Sequence, residues 1–156
     1  MLFFYGFCSD RPFREILREF EKERPGFAVL LKPEFAAFAP LVTYSILLSF
    51  KAFQEGRNKA GTPELEAMRF LSCRSNVSAA AEFCKPAGSE MLAVSTVPID
   101  GVLERNGKTK PLGAKLKAGK KDATWLAGQY GISAGGKTPE EVAQLVREKI
   151  VVFSLD

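Results

Sequence analysis

Two stretches of this chain have residue types and spacing that could do chemistry. The first, Gly131-Ile132-Ser133-Ala134-Gly135-Gly136-Lys137-Thr138, matches the G-x-x-x-x-G-K-[ST] pattern, in which backbone N–H groups and a lysine cradle a nucleotide's phosphates. That chemistry needs a buried strand feeding the loop and a parallel sheet after it. Residues 125–130 read instead as helix, and only 18 residues follow Thr138. A local role accounts for the same letters: Thr138-Pro139-Glu140-Glu141 is a capping box, with the Thr hydroxyl on the Glu141 N–H and the Glu141 carboxylate reaching back. A small nucleotide hydrolase built on Gly131 to Thr138 is the weaker of the two readings. The second stretch, residues 105–121, holds seven basic residues (Arg105, Lys108, Lys110, Lys115, Lys117, Lys120, Lys121) and no acidic one. Of the 22 Lys and Arg residues that leaves 15 against 18 carboxylates, so this segment supplies the whole positive excess of a chain with net charge +4. It reads either as a solvated loop kept soluble by lysines or as a phosphate-facing patch.

Other chemistry is scarce. The chain contains no histidine, which excludes a His-based triad, His-ligated zinc and an imidazole acid–base catalyst. Cys8, Cys73 and Cys84 are odd in number and lack Cys-x-x-Cys spacing, so they read as small buried apolar residues in a reducing compartment. The carboxylate pairs Glu64/Glu66 and Glu140/Glu141 fall in first helical turns, where negative charge suits the macrodipole. Tyr5 and Tyr44 lie in apolar elements and read as packing residues. No cofactor and no metal are expected, and the sequence reads as a non-enzyme.

The elements that must position these groups follow from hydrophobic period and punctuation. At 156 residues and 46% hydrophobic the chain is expected to fold as a single domain, residues 1–156. Residues 2–7 read as a fully buried strand. Ser9 or Asp10 is expected to cap a helix carrying Phe13, Ile16, Leu17 and Phe20, which Pro25-Gly26 ends. Residues 27–31 form a second strand. Pro40 breaks the next helical region, which restarts as a helix over 41–55 that is apolar on more than one side and stops at Gly56. Thr62 caps a helix with Leu65, Met68 and Leu71 inward, and Ser75 or Asn76 caps the next, with Val77, Ala80, Ala81 and Cys84 as its stripe. Residues 91–97 make a third strand, 100–121 read mostly as loop with a turn signal at Asn106-Gly107, and helices are expected over 122–130 and 138–152. The class is α+β: a small mixed or antiparallel sheet of three to four short strands packed with about six helices. Met1 to Phe7 lacks the form of a targeting segment, and the apolar run 41–50 is shorter than the ~20 residues that span a bilayer. A cytoplasmic protein without a membrane partner is expected.

The most specific stretch is residues 62–96: a capped helix, a polar corner at residues 72–76, a small-residue helix, then Lys85-Pro86-Ala87-Gly88 and the strand Met91-Leu92-Ala93-Val94-Ser95-Thr96. It resembles the corner of the PRPK-binding protein family, the small accessory kinase-binding subunit of the KEOPS complex, where a Leu-Ser-x-x-x-Asn/Gln-Ile-Ser run joins two helices. Leu71-Ser72 and Asn76-Val77-Ser78 stand at those places, and Tyr130-Gly131-Ile132-Ser133 is similar to the family's turn before its last helix. The start, Met1 to Phe7, is like archaeal members. Cys73 stands where many relatives carry Gly, and Arg74 is one place early relative to a basic residue found in some. Lys85-Pro86 stands near the usual Phe-Gly-Ile after the second helix.

The resemblance implies a non-catalytic subunit that binds the small lobe of the KEOPS atypical kinase and supports it. It also implies help in presenting tRNA, by its single-stranded acceptor end, for threonylcarbamoylation of the adenosine beside the anticodon. The location would be cytoplasmic, and also nuclear in a eukaryote. On this reading Lys59, Arg69, Arg74 and Asn76 form an RNA-facing corner, since a single-stranded end needs backbone-facing cations and polar groups at base edges. The kinase contact is expected on the helices over 41–55 and 138–152, at Leu145, Ile150, Val151 and Phe153 and the neighbouring Val152. A free-standing RNA-binding module is the alternative from another class.

Overall fold

A computed structural model describes residues 1–23 and 26–156. It is a single-domain α+β fold with seven α-helices and one open, four-stranded antiparallel sheet among the described residues. In chain order these are β1 (Phe3–Cys8), α1 (Phe13–Glu23), β2 (Ala28–Leu31), a 3-10 turn (Pro33–Phe38), α2 (Ala39–Gln54), α3 (Pro63–Ser72), α4 (Val77–Cys84), β3 (Glu90–Ser95), α5 (Asp100–Asn106), β4 (Lys108–Lys110), a second 3-10 turn (Gly113–Leu116), α6 (Lys120–Tyr130) and α7 (Pro139–Ser154). The strands lie in the order β2-β3-β1-β4.

Alternation along the strands sends side chains to two separate cores. On one face Phe7, Leu30, Met91 and Ala93 pack with Ile16 and Phe20 of α1 and Leu103 of α5. On the other, Val29, Leu31, Leu92 and Val94 meet the first 3-10 turn and helices α2, α3, α4, α6 and α7. Helices cover both faces, and so β1 scarcely alternates in its letters. Its burial is less complete than those letters suggest: only Gly6 and Phe7 are buried, because β1 lies beside the short strand β4 at the open end of the sheet.

Local chemistry sets most boundaries as expected. Pro40 occupies the first turn of α2, where its missing N–H costs nothing. Thr62 caps α3 by accepting from the Leu65 N–H, and Asn76 caps α4 by accepting from the Ala79 N–H. Thr138 and Glu141 form the capping box of α7. The cap expected for α1 differs. The Ser9 hydroxyl donates to the Asn106 carbonyl and accepts from the Arg11 N–H, so it ties the β1 end to α5, and the Pro12 carbonyl takes the first N–H groups of α1. Of the expected stop at Pro25-Gly26, Pro25 lies outside the described residues. The 3-10 turn and α2 run together as 22 residues, Pro33–Gln54, in which an 18-residue window has a mean hydropathy of 1.5, long and apolar enough to cross a membrane by length and composition. Half of that window is buried inside the fold.

Residues 100–121 are the main correction. They are not mostly loop but hold α5, β4 and a 3-10 turn, and Asn106-Gly107 is the end of α5 rather than a hairpin turn. Gly107 is required for close approach, not for its dihedral angles. A Cβ there would lie 2.1 Å from the Cys8 carbonyl oxygen and 2.8 Å from the Phe7 ring. Gly107→Ala is therefore expected to destabilise by about 1–3 kcal/mol, read as a lower urea midpoint at unchanged slope. Gly101→Ala is the control. Its Cβ would meet only the flexible tip of Arg105 at 3.4 Å, and the midpoint should hold or rise.

Candidate functional site: the α3–α4 corner and the α2–α7 groove

The corner is built from a helix stop. Cys73 sits in the left-handed region at φ 54°, its N–H donating to the Phe70 carbonyl while the Arg74 N–H reaches back to Arg69. This is a Schellman ending, a conformation that favours glycine and that Cys73 adopts here. Burial pushes the Cys73 thiol up to about 11 and the Cys84 thiol up to about 12, so both stay protonated and unreactive near neutral pH.

Behind the corner lies a buried ion pair. Glu66 and Arg69 are 1% and 3% exposed, with Nη1 of Arg69 2.7 Å from the carboxylate. The second Glu66 oxygen accepts from the N–H groups of Lys59 (3.1 Å) and Ala60 (2.6 Å), and Nε of Arg69 donates to the Ser75 carbonyl at 3.0 Å. The Phe153 ring lies 5.6 Å from the guanidinium and meets Phe70 edge-on at 6.1 Å. Three segments are thus pinned at one point: the α2–α3 loop, the corner, and the end of α7.

This placement sorts the expected RNA-facing residues. Arg69 is corrected: its guanidinium is consumed inside the fold and presents nothing to a ligand. Glu66, read from the sequence as a helix-dipole carboxylate, is its buried partner. Arg74 is exposed and stacks over the half-buried Phe83 ring at 5.1 Å. Lys59 is exposed, with Nζ 3.1 Å from the Asp156 carbonyl. Asn76 is exposed, but its side-chain oxygen is occupied by the α4 cap. Two neighbours were not among the expected RNA-facing residues. Lys32 places its ammonium 5.2 Å from the same Phe83 ring, and Tyr130 packs edge-on to that ring at 5.5 Å while its hydroxyl donates to the Leu71 carbonyl. Burial holds the Tyr130 phenol well above its ordinary range, so it serves as a hydrogen-bond donor.

The expected partner residues sort similarly. Ile150 is corrected: at 0% exposure it is core. Leu145 and Phe153 are half-buried and line a shallow groove of about 570 Å³ with Cys73, Ile132 and Val152. Val151, Val152 and Leu155 are exposed. The larger apolar surface lies elsewhere on the same helices. A groove of about 1060 Å³ runs between α2 and α7, with Leu41, Tyr44 and Leu47 on one wall and Ala143 and Arg147 on the other. Leu47 is 57% exposed there, and the Arg147 guanidinium covers the Tyr44 ring at 5.0 Å. Sequence reading found the surplus apolar side of α2 but not that α7 meets it through Ala143 and Arg147.

Residues 131–138 connect two helices. Gly131 ends α6 at φ 64°, the Ile132 and Lys137 N–H groups donate to the Ala127 and Ala134 carbonyls, and Thr138 is engaged in its cap. The strand that phosphate cradling requires before the loop is replaced by α6. Among the described residues no group of three His, Cys, Asp or Glu could hold a metal ion. The sequence matches no family model, and no curated protein matches it significantly.

Proposed function

We propose that this chain is a non-catalytic accessory subunit. It docks on the small lobe of the KEOPS atypical kinase through the α2–α7 groove and offers the α3–α4 corner to the acceptor end of tRNA, for threonylcarbamoyladenosine modification. The observation that carries the reading is the groove. A helix apolar beyond its core-facing side leaves Leu47 exposed beside the half-buried Tyr44 ring and the arginine that covers it, the composition of an interface centre. Support also comes from the sequence resemblance at Leu71-Ser72 and Asn76-Val77-Ser78, which fall at the corner itself. The RNA side of the reading uses Arg74, Lys59 and Asn76, with Lys32 beside Arg74 on the Phe83 ring. A guanidinium pre-stacked on an aromatic ring is oriented for a phosphate or a base plane at low entropic cost.

The RNA assignment is tested by fluorescence anisotropy with a short single-stranded acceptor-end oligonucleotide. Arg74→Glu should weaken binding about tenfold at low salt and reduce the salt slope by about one. Binding indifferent to this change rules out the corner. The kinase assignment is tested by capture of the kinase subunit on the immobilised chain, which a free-standing RNA module would fail.

A further inference from the structure

We infer that the edge running from β4 to the start of α6 is a second nucleic-acid contact, one that takes the phosphate backbone of an RNA duplex rather than bases. The inference rests on the reading that the chain handles tRNA, and it concerns a surface that lies apart from the α3–α4 corner and meets the α2–α7 groove at Lys117.

Six exposed lysines are folded together here. Lys108 and Lys110 share one side of β4, because side chains alternate along a strand. Lys110 and Lys115 both reach the Glu90 carboxylate, at 2.9 and 3.9 Å, which holds the second 3-10 turn against the sheet edge. Lys117 follows, and Lys120 and Lys121 open α6. The segment 108–122 adds one carboxylate of its own, Asp122, which accepts from the Gly119 N–H at 2.8 Å. Two of its lysines share Glu90, while Glu140 lines the α2–α7 groove with Lys117. Six lysines against these three carboxylates leave the edge strongly positive.

Two features separate this cluster from ordinary solvation. Lysines guard an open sheet edge against pairing with another chain, and that role accounts for Lys108 and Lys110. It does not account for Lys117, Lys120 and Lys121. Two of these stand in the first turn of α6, where the macrodipole repels cations, so they oppose local stability. An anion bound across the edge would reverse that penalty. The second feature is what the segment lacks: no aromatic residue occurs between positions 105 and 121. Without a stacking surface, the contact suits a continuous row of phosphates, whereas the corner has Phe83 under Arg74.

The test uses the full chain and two labelled probes: an RNA duplex of ~16 base pairs, the span of a backbone-reading domain, and the single-stranded oligonucleotide. The triple variant Lys117→Gln, Lys120→Gln, Lys121→Gln should bind the duplex about tenfold more weakly, with a salt slope shallower by about two to three. The corresponding triple Lys→Arg variant should bind like the unaltered chain. Single-strand binding should be unchanged by the Gln variant. Loss of duplex binding in a chain that never binds the single strand would uphold this edge and sink the corner. Equal duplex affinity and slope in the Gln variant would overturn the inference. So would lysine-dependent binding to phosphatidylserine vesicles without any binding to the duplex.

Discussion

Glu66→Ala should lower the free energy of unfolding by about 3–5 kcal/mol, more than any exposed substitution in the chain. The carboxylate is 1% exposed and accepts from three donors: the Arg69 guanidinium and the N–H groups of Lys59 and Ala60. Its removal leaves a buried guanidinium with only the Ser75 carbonyl as polar partner and strips two loop N–H groups of their acceptor. The penalty is that of stranded polar groups, not of a lost surface attraction. Replacing both partners together, Glu66→Leu with Arg69→Met, should recover much of the loss, because no unpaired charge then remains buried. Denaturant midpoints measure both. Hydrogen exchange gives the second readout: the Lys59 and Ala60 amides should lose protection in Glu66→Ala beyond what global destabilisation explains. Equal midpoints for Glu66→Ala and the unaltered chain would show that the pair does not pin the corner.

Leu47→Asp should cost at least about 2 kcal/mol of kinase affinity, roughly a thirtyfold rise in Kd, with a stability change within about 0.5 kcal/mol. Leu47 is exposed on the wall of the α2–α7 groove, so a carboxylate there stays hydrated in the free chain. In a complex that covers the groove the same carboxylate is desolvated without a partner. Ile150→Ala supplies the contrast. Its side chain is 0% exposed, so it should lower stability by about 2–5 kcal/mol while leaving the kinase affinity of the folded fraction unaltered. The two variants therefore separate a docking surface from a core position on neighbouring helices. A Leu47→Asp chain that binds the kinase as well as the unaltered one would move the interface off this groove.

What was legible in the sequence was local. Thr62, Asn76, Thr138 and Pro40 each act on backbone groups within one turn, so their letters alone place four helix starts. What was hidden depends on distant chain. Lys108-Thr109-Lys110 has no apolar alternation to mark it as a strand, and it pairs because β1 offers a free backbone edge. Glu66 and Arg69, three residues apart, read as surface charges suited to dipole and RNA. Their burial is decided by the α2–α3 loop folding over them and by Phe153 arriving from the end of α7. The same long-range contact removed Arg69 from the expected RNA-facing set and left Arg74, one helical stop later, outside. Ile150 failed as a contact residue for a simpler reason: α7 presents its Val142, Val146 and Ile150 stripe inward, and its open side runs through Ala143 and Arg147.

The most direct test of the central claim mixes the purified chain with the KEOPS kinase subunit at micromolar concentrations and weighs the product by size-exclusion chromatography with light scattering. A one-to-one complex that Leu47→Asp dissolves, with Arg74→Glu leaving it intact, is the expected result. Separate elution of the two proteins at those concentrations would contradict the account.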